Sequence, residues 1–141
     1  MTENFNWPVR VYYEDTDAGG IVYHARYLQF LERARTEWLR ELGFNQSELK
    51  QEGVVFVVRD MQINWQSPAL LDEALQVNVQ VQKVKKASFI MTQQILLGNE
   101  QKLKASVTIA CLNSQTLKPL AIPLNIIAAM NLQGSEGVTS E

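Results

Sequence analysis

The chain has one cysteine and one histidine in 141 residues, no apolar run long enough to cross a bilayer, and almost no imbalance of charge. Each shortage excludes something. A lone Cys111 closes no internal disulfide, and no neighbouring Cys or His stands at metal-ligand spacing from it. The chain therefore reads as a protein of a reducing compartment, with Cys111 continuing an apolar alternation as a core residue. Lys and Arg number 13 against 15 Asp and Glu, a formal net charge of −2. No global basic field recruits nucleic acid or anionic lipid, so a phosphate-bearing ligand has to be held by local cations. The opening "MTENFNWPVRVYY" lacks the basic start and apolar run of a signal peptide. With no membrane-spanning stretch either, a soluble, cytoplasmic protein is expected.

What is present suits one globular domain, since 46% of the residues are apolar and 20% charged. Val9, Val11 and Tyr13 alternate with Arg10, Tyr12 and Glu14, the period-two pattern of a strand with one buried face. Tyr13 is thus expected to point with the valines. After Ala18-Gly19-Gly20 the period changes: Tyr27, Leu28, Leu31, Ala34, Trp38 and Leu42 recur at spacings of three and four, widened by Phe30 and Leu39. This predicts one long amphipathic helix over 24–42, closed by Gly43 as a left-handed C-cap, with a short helical segment over 45–52.

From Val54 the character is β. "VVFVVRDMQINW" is rich in β-branched and aromatic residues and ends in a turn around Pro68, "QSPALLDEA". "LQVNVQVQKV" puts Leu75, Val77, Val79 and Val81 on one face and Gln76, Asn78, Gln80 and Gln82 on the other. "ASFIMTQQILL", a Gly98-Asn99 turn and "LKASVTIACL" follow, the last with Leu103, Ala105, Val107, Ile109 and Cys111 on one face. These three segments read as an antiparallel meander. The polar "GSEGVTSE" has nothing to bury, which gives a single domain over 1–132 and a disordered tail over 133–141. Strand, long helix and four more strands make an α+β pattern, one antiparallel sheet wrapped around one central helix. Its open edges invite a second chain, so at least a dimer is expected.

Chemistry concentrates in "YYEDTDAGGIVYHARYLQFLERAR", residues 12–35. Acids in a turn commonly cap a helix or bond local backbone, which by itself is a sufficient account of Glu14, Asp15 and Asp17. The combination asks for more. Asp17 lies four residues beyond Tyr13, Gly19 and Gly20 let a backbone or ligand approach, and His24 falls in the first turn of the helix. N–H groups at a helix start are unpaired within the helix and can polarise a carbonyl, while a carboxylate opposite them can activate water or attack directly. That assembly suits hydrolysis of an activated acyl group. A nucleophilic triad lacks its Gly-x-Ser-x-Gly elbow, a metal site on Asp15, Asp17 and His24 matches no standard ligand spacing, and "DAGGIV" is not a nucleotide-binding glycine signature.

Tyr13-Glu14-Asp15-Thr16-Asp17, Gly20, Val22-Tyr23-His24, Tyr27-Leu28, Phe30, Glu32 and Ala34-Arg35 resemble the signature of hotdog-fold acyl-CoA thioesterases of the 4-hydroxybenzoyl-CoA type, within them the YbgC group associated with the bacterial Tol-Pal cluster. "WPVRVYYEDTDAGG" and the later "SPA" extend the resemblance over residues 7–130. It implies a hotdog fold, a five-stranded antiparallel sheet around the helix. It implies homodimers or homotetramers whose sheets run on into each other, with active sites at the protomer boundary. Asp17 corresponds to the catalytic carboxylate, general base or nucleophile. The His24 N–H corresponds to the donor that polarises the thioester carbonyl, and the Tyr13 and His24 side chains match a proposed Tyr, Asp, His set. Gly19 and Gly20 would form the substrate loop, and no cofactor or metal is implied. The substrate implied is an acyl-CoA, leaning aliphatic, with acyl carrier protein as a further partner. Lys83, Lys85, Lys86, Arg59 and Lys118 are candidates for its phosphates, with a solvated charge cluster as the default explanation; Asp15 reads as support, and Glu32 with Arg35 as an ordinary helix ion pair. The rivals are a non-catalytic acyl-CoA or acyl-carrier-protein binding module and a hotdog dehydratase, against which the Asp-Thr-Asp signature argues.

Overall fold

Strict alternation of apolar and polar residues makes "LQVNVQVQKV" a strand with one dry face, and this strand anchors the sheet. The computed structural model describes residues 5–134. In chain order they form β1 (Phe5–Arg10), a single 3-10 turn (Tyr13–Asp15), α1 (His24–Glu41), α2 (Gln46–Gln51), β2 (Val54–Trp65), β3 (Ala74–Val84), β4 (Ser88–Leu97), β5 (Glu100–Asn113) and α3 (Leu124–Gly134). The five strands pair in the order β1-β3-β4-β5-β2, every pair antiparallel. The consecutive β3, β4 and β5 are the expected meander. β1 closes one edge on β3, and β2 forms the other edge on β5, running from Val54↔Asn113 to Trp65↔Leu103.

The core forms where the stripe of α1 meets the dry face of this sheet. Tyr27, Phe30, Leu31, Ala34, Trp38 and Leu39 are buried on α1, opposite Leu75, Val77, Val79, Met91, Ile95, Leu103 and Val107. Each such aliphatic or aromatic side chain removed from water contributes about 1.5–3 kcal/mol before chain entropy is counted. Cys111 is fully buried among them. Gly43, at φ +101, ends α1 in the left-handed region, and the Asn45 side chain caps α2 by accepting from the Glu48 N–H at 2.9 Å. α1 lies over β1 and β3, α3 over β3 and α2 beside β2. This leaves a cleft of about 390 Å³ between the second half of α1 and the sheet, lined by Trp38, Leu39, Phe56, Val58, Phe89 and Met91 among others.

The first strand and the C-terminus depart from the sequence expectation. β1 occupies Phe5–Arg10 and is over before Tyr13, which the 3-10 turn swings outward. The reason is local: the Asp15 carboxylate accepts from the Tyr12 N–H at 2.8 Å and bends the chain out of the ladder. At the other end, "LNIIAAMNLQG" forms a helix that alternation did not reveal, opened after Pro123, whose carbonyl accepts from the Ile126 and Ile127 N–H groups. Ile126 and Met130, one turn apart, bury its inner side. Of the tail expected over 133–141, residues 133 and 134 belong to the last turn of α3, and 135–141 lie outside the described residues. Among the described residues no helix is long and apolar enough to cross a membrane.

Candidate active site

The acidic loop is a tight hairpin built from its own backbone. Tyr23 N–H donates to the Asp15 carbonyl at 3.2 Å, Thr16 bridges Val22, Asp17 N–H donates to the Ile21 carbonyl at 2.9 Å, and Gly20 N–H closes the tip on the Asp17 carbonyl at 3.0 Å. Asp15 fixes the base. It is buried, with Oδ2 on the Tyr12 N–H and Oδ1 3.2 Å from Nε of Arg26 in the first turn of α1. The supporting role read for Asp15 is the one its bonds describe. Arg26 also donates to the Glu14 carbonyl at 3.2 Å, a second tie between loop and helix start.

Asp17 stands exposed near the tip. The loop grips one of its oxygens: Oδ1 accepts from the Gly19 N–H at 2.8 Å and from the Ile21 N–H at 3.2 Å. Oδ2 stays outside that grip. Gly20 sits at φ +80, a conformation other residues adopt only with strain. A second segment backs the hairpin from behind. Val22 N–H donates to the Ala69 carbonyl at 3.0 Å, Leu71 N–H donates to the Gly20 carbonyl at 3.1 Å, and Ile21 bridges Leu70.

The hairpin leads directly into α1. No side chain caps the helix at Tyr23 and its first turn carries no acid; the Arg26 N–H turns back to the Tyr23 carbonyl at 3.0 Å, and the helix presents its positive end here. His24 is the first helical residue, and its exposed ring lies on Trp65 of β2 with centroids 4.5 Å apart. Trp65 in turn meets Tyr27 edge-on at 5.3 Å. The Tyr27 hydroxyl accepts from the Ala69 N–H at 2.8 Å, and burial pushes its pKa above the usual phenol range. An ionisable carboxylate, the positive end of a helix and an aromatic wall therefore share one corner of the molecule.

Residues 11–130 match the thioesterase-like superfamily. The chain is 46% identical over 128 residues to the acyl-CoA thioester hydrolase YbgC of Escherichia coli O6:H1, covering 90% of this chain and 96% of that one. With the acyl-CoA thioesterase YbgC of Haemophilus influenzae it shares 46% identity over 132 residues, 93% of this chain and 97% of the other. Its fold matches the crystal structure of a probable thioesterase from Bartonella henselae with a TM-score of 0.80 at 41% identity, covering 86% of this chain and all of that one. The chain belongs to the thioesterase-like superfamily, in its YbgC group. Its sheet and central helix are the hotdog fold.

In this thioesterase the other residues singled out in the sequence fall in different places. Tyr13, 81% exposed, does not descend from a buried strand face, which corrects the expected geometry of its approach to Asp17. Arg35 donates to the buried Gln93 side chain at 3.0 Å, a partner that helix spacing with Glu32 did not suggest. Its loss of solvent lowers the Arg35 pKa, and Glu32 opposes the shift. Lys83, Lys85 and Lys86 flank the β3–β4 turn, at the far end of an 11-residue strand from the loop. That is about 30 Å of chain, so the fold does not bring the cluster to Asp17 of the same protomer. Arg59 lies exposed at the β2 bulge and Lys118 exposed beyond β5. Among the described residues no group of three His, Cys, Asp or Glu side chains is placed to hold a metal ion. Trp65, the Tyr27 hydroxyl and the 66–73 segment escaped the sequence reading because their partners are set by long-range pairing; only the aromatic at the end of "VVFVVRDMQINW" could have hinted at a platform.

Proposed function

We propose that this acyl-CoA thioester hydrolase acts on an aliphatic acyl-CoA, with Asp17 activating the attacking water. Asp17 takes a proton from water as the water oxygen bonds to the thioester carbon. The resulting oxyanion is received by the N–H groups at the start of α1. The C–S bond then breaks, and the thiolate leaves as CoA thiol with the proton held by Asp17. Acyl-CoA and water give free acid and CoA. The observation that carries this reading is the single-sided grip on Asp17: two backbone N–H groups fix Oδ1, orienting the carboxylate while Oδ2 is left to act. General-base help of this kind contributes about 10²–10⁴-fold, and a helix-start donor set in a dry site stabilises the developing charge. His24 contributes its backbone first, its ring being held on Trp65.

The assembly is part of the proposal. The cleft, whose apolar floor is bordered by Glu32, Arg35, Thr36 and Gln46, lies eight or more residues along α1 from His24, at least about 12 Å away, so within one chain it does not adjoin the reacting centre. β2 is an edge strand with Val57, Val58 and Trp65 exposed. A two-fold antiparallel pairing through β2 would set the Trp65 end of one strand beside the Val54 end of the other. The loop of one protomer then meets the apolar cleft of its partner, which suits an aliphatic chain, and two such dimers make the tetramer.

Thiol release across a panel of acyl-CoAs tests the reaction, since a binding module for acyl-CoA or acyl carrier protein releases none. Asp17→Asn keeps the size and the loop bonds but removes the base. A folded D17N variant with near-parental turnover overturns the assignment. Repeated turnover in labelled water separates the two roles of Asp17: label confined to the product fits the base, and label in the Asp17 carboxylate fits direct attack.

A further inference from the structure

Alternation along "EQKLKAS" places Lys102 outward, opposite Leu103, yet both are buried. The cause is a bulge. Against β4, Gln101 pairs Leu96 while Leu103 pairs Ile95, so Lys102 is the extra residue and turns inward. Only 5% of Lys102 is exposed, and its ammonium lies 3.2 Å from Glu100 and 3.9 Å from Glu73.

These contacts close both ends of the segment that backs the loop. At one end the Lys102 carbonyl accepts from the Gln66 and Ser67 N–H groups at 3.0 and 3.1 Å, and the Ser67 hydroxyl donates to Glu100 at 2.9 Å. The Ser67 bond, and then Lys102, hold the Glu100 carboxyl below its usual range. At the other end Glu73 accepts from the Leu70 N–H at 2.9 Å through the oxygen that faces Lys102. Leu70 bridges Ile21, whose N–H binds Asp17 Oδ1. A continuous path of bonds thus runs from the ammonium to the carboxylate.

We propose that Lys102 is a positioning residue for the hydrolysis, clasping residues 66–73 so that they hold the Asp17 hairpin in its reactive geometry. It rests on the reading of Asp17 as the activating carboxylate. A buried ammonium between two carboxylates is a poor device for stability alone, because a well-packed apolar residue of similar volume serves as well or better. Its place behind the loop gives it a use that stability does not.

The test compares Lys102→Met, Lys102→Arg and Glu73→Gln in the full chain, by steady-state thiol release and by amide exchange at Val22 and Leu71. K102M is expected to lower kcat by about 10- to 100-fold, as a small misplacement of a catalytic group does, with KM within about twofold. K102R should restore part of the loss, and exchange at both amides should quicken in K102M. If K102M does not fold, E73Q, which keeps an acceptor for the Leu70 N–H, carries the test through the same readouts. Parental kcat in the folded variants, whatever their melting temperature, overturns the proposal while an inactive D17N leaves the Asp17 reading intact. An active D17N overturns both.

Discussion

The meander β3–β4–β5 and the corner made by residues 12–24 with 65–73 are held by different forces. In the meander, alternate side chains are buried against α1 and the ladder bonds follow from the pairing. In the corner the side chains are largely exposed, Tyr12, Tyr13, Ile21, Tyr23, Leu70 and Leu71 among them, and backbone bonds to Asp15, Asp17, Ala69 and Gly20 set the shape. Burial is non-directional and tolerates small shifts, whereas a carboxylate gripped by two N–H groups is fixed in orientation. Stability is concentrated in one region and geometry in the other.

Substitutions in the two regions should therefore separate activity from stability. Asp17→Asn retains an acceptor at Oδ1 for Gly19 and Ile21, so its melting temperature should stay within a degree or two while kcat falls by about 10²–10⁴-fold. A matched fall in melting temperature would show that the loop bears on the fold after all. Ile95→Ala is the converse. Ile95 is fully buried between Val77 and Leu103, and its truncation should cost about 2–5 kcal/mol in urea unfolding with kcat per folded molecule preserved.

The same contrast explains what could be read in advance. The helix over 24–42 and the strand over 54–65 appear as His24–Glu41 and Val54–Trp65 because a local period encodes the one and a run of β-branched and aromatic residues the other. The hotdog arrangement was legible through the long motif at the start of α1. Tyr13 was misplaced because the Asp15 bond that ends β1 competes with an alternation that looks uninterrupted in sequence. Lys102 was illegible for a related reason: a bulge depends on the partner strand and inverts the facing of one residue. The corner draws its bonds from residues about 50 positions apart, as Val22 does from Ala69, and no local pattern carries that. α3 went unread because its apolar residues repeat without a clear polar face.

Cys111 probes the core by charge rather than by volume. Burial pushes its thiol up from 9.0 to about 11. The unfolded chain ionises first as pH rises, so the folded state is undisturbed below about 9 and loses stability between the two values, by about 2–3 kcal/mol at the top of that window. The raised phenol of Tyr27 acts in the same direction. Cys111→Val should flatten this part of the alkaline limb of a stability–pH curve, and the wild-type thiol should resist alkylation until the protein unfolds. An accessible thiol at neutral pH would contradict the packing of β5.

The smallest effect falls within the corner, between adjacent glycines. At Gly19 a built Cβ would meet Asp17 Oδ1 at 3.4 Å, an ordinary contact, so Gly19→Ala should be nearly silent in stability. At Gly20 there is open space around the Cβ position, yet φ is +80. Gly20→Ala should cost about 1–2 kcal/mol of backbone strain. Strain there can relax by rotating the peptide units that carry the Gly20 N–H to Asp17 and receive the Leu71 N–H. Either response reaches the Asp17 carboxylate, so G20A should lower kcat by more than its stability loss explains, and G19A should not. Equal kcat in the two variants would mean that the hairpin tip does not set the geometry of Asp17, and that the clasp on residues 66–73 alone does.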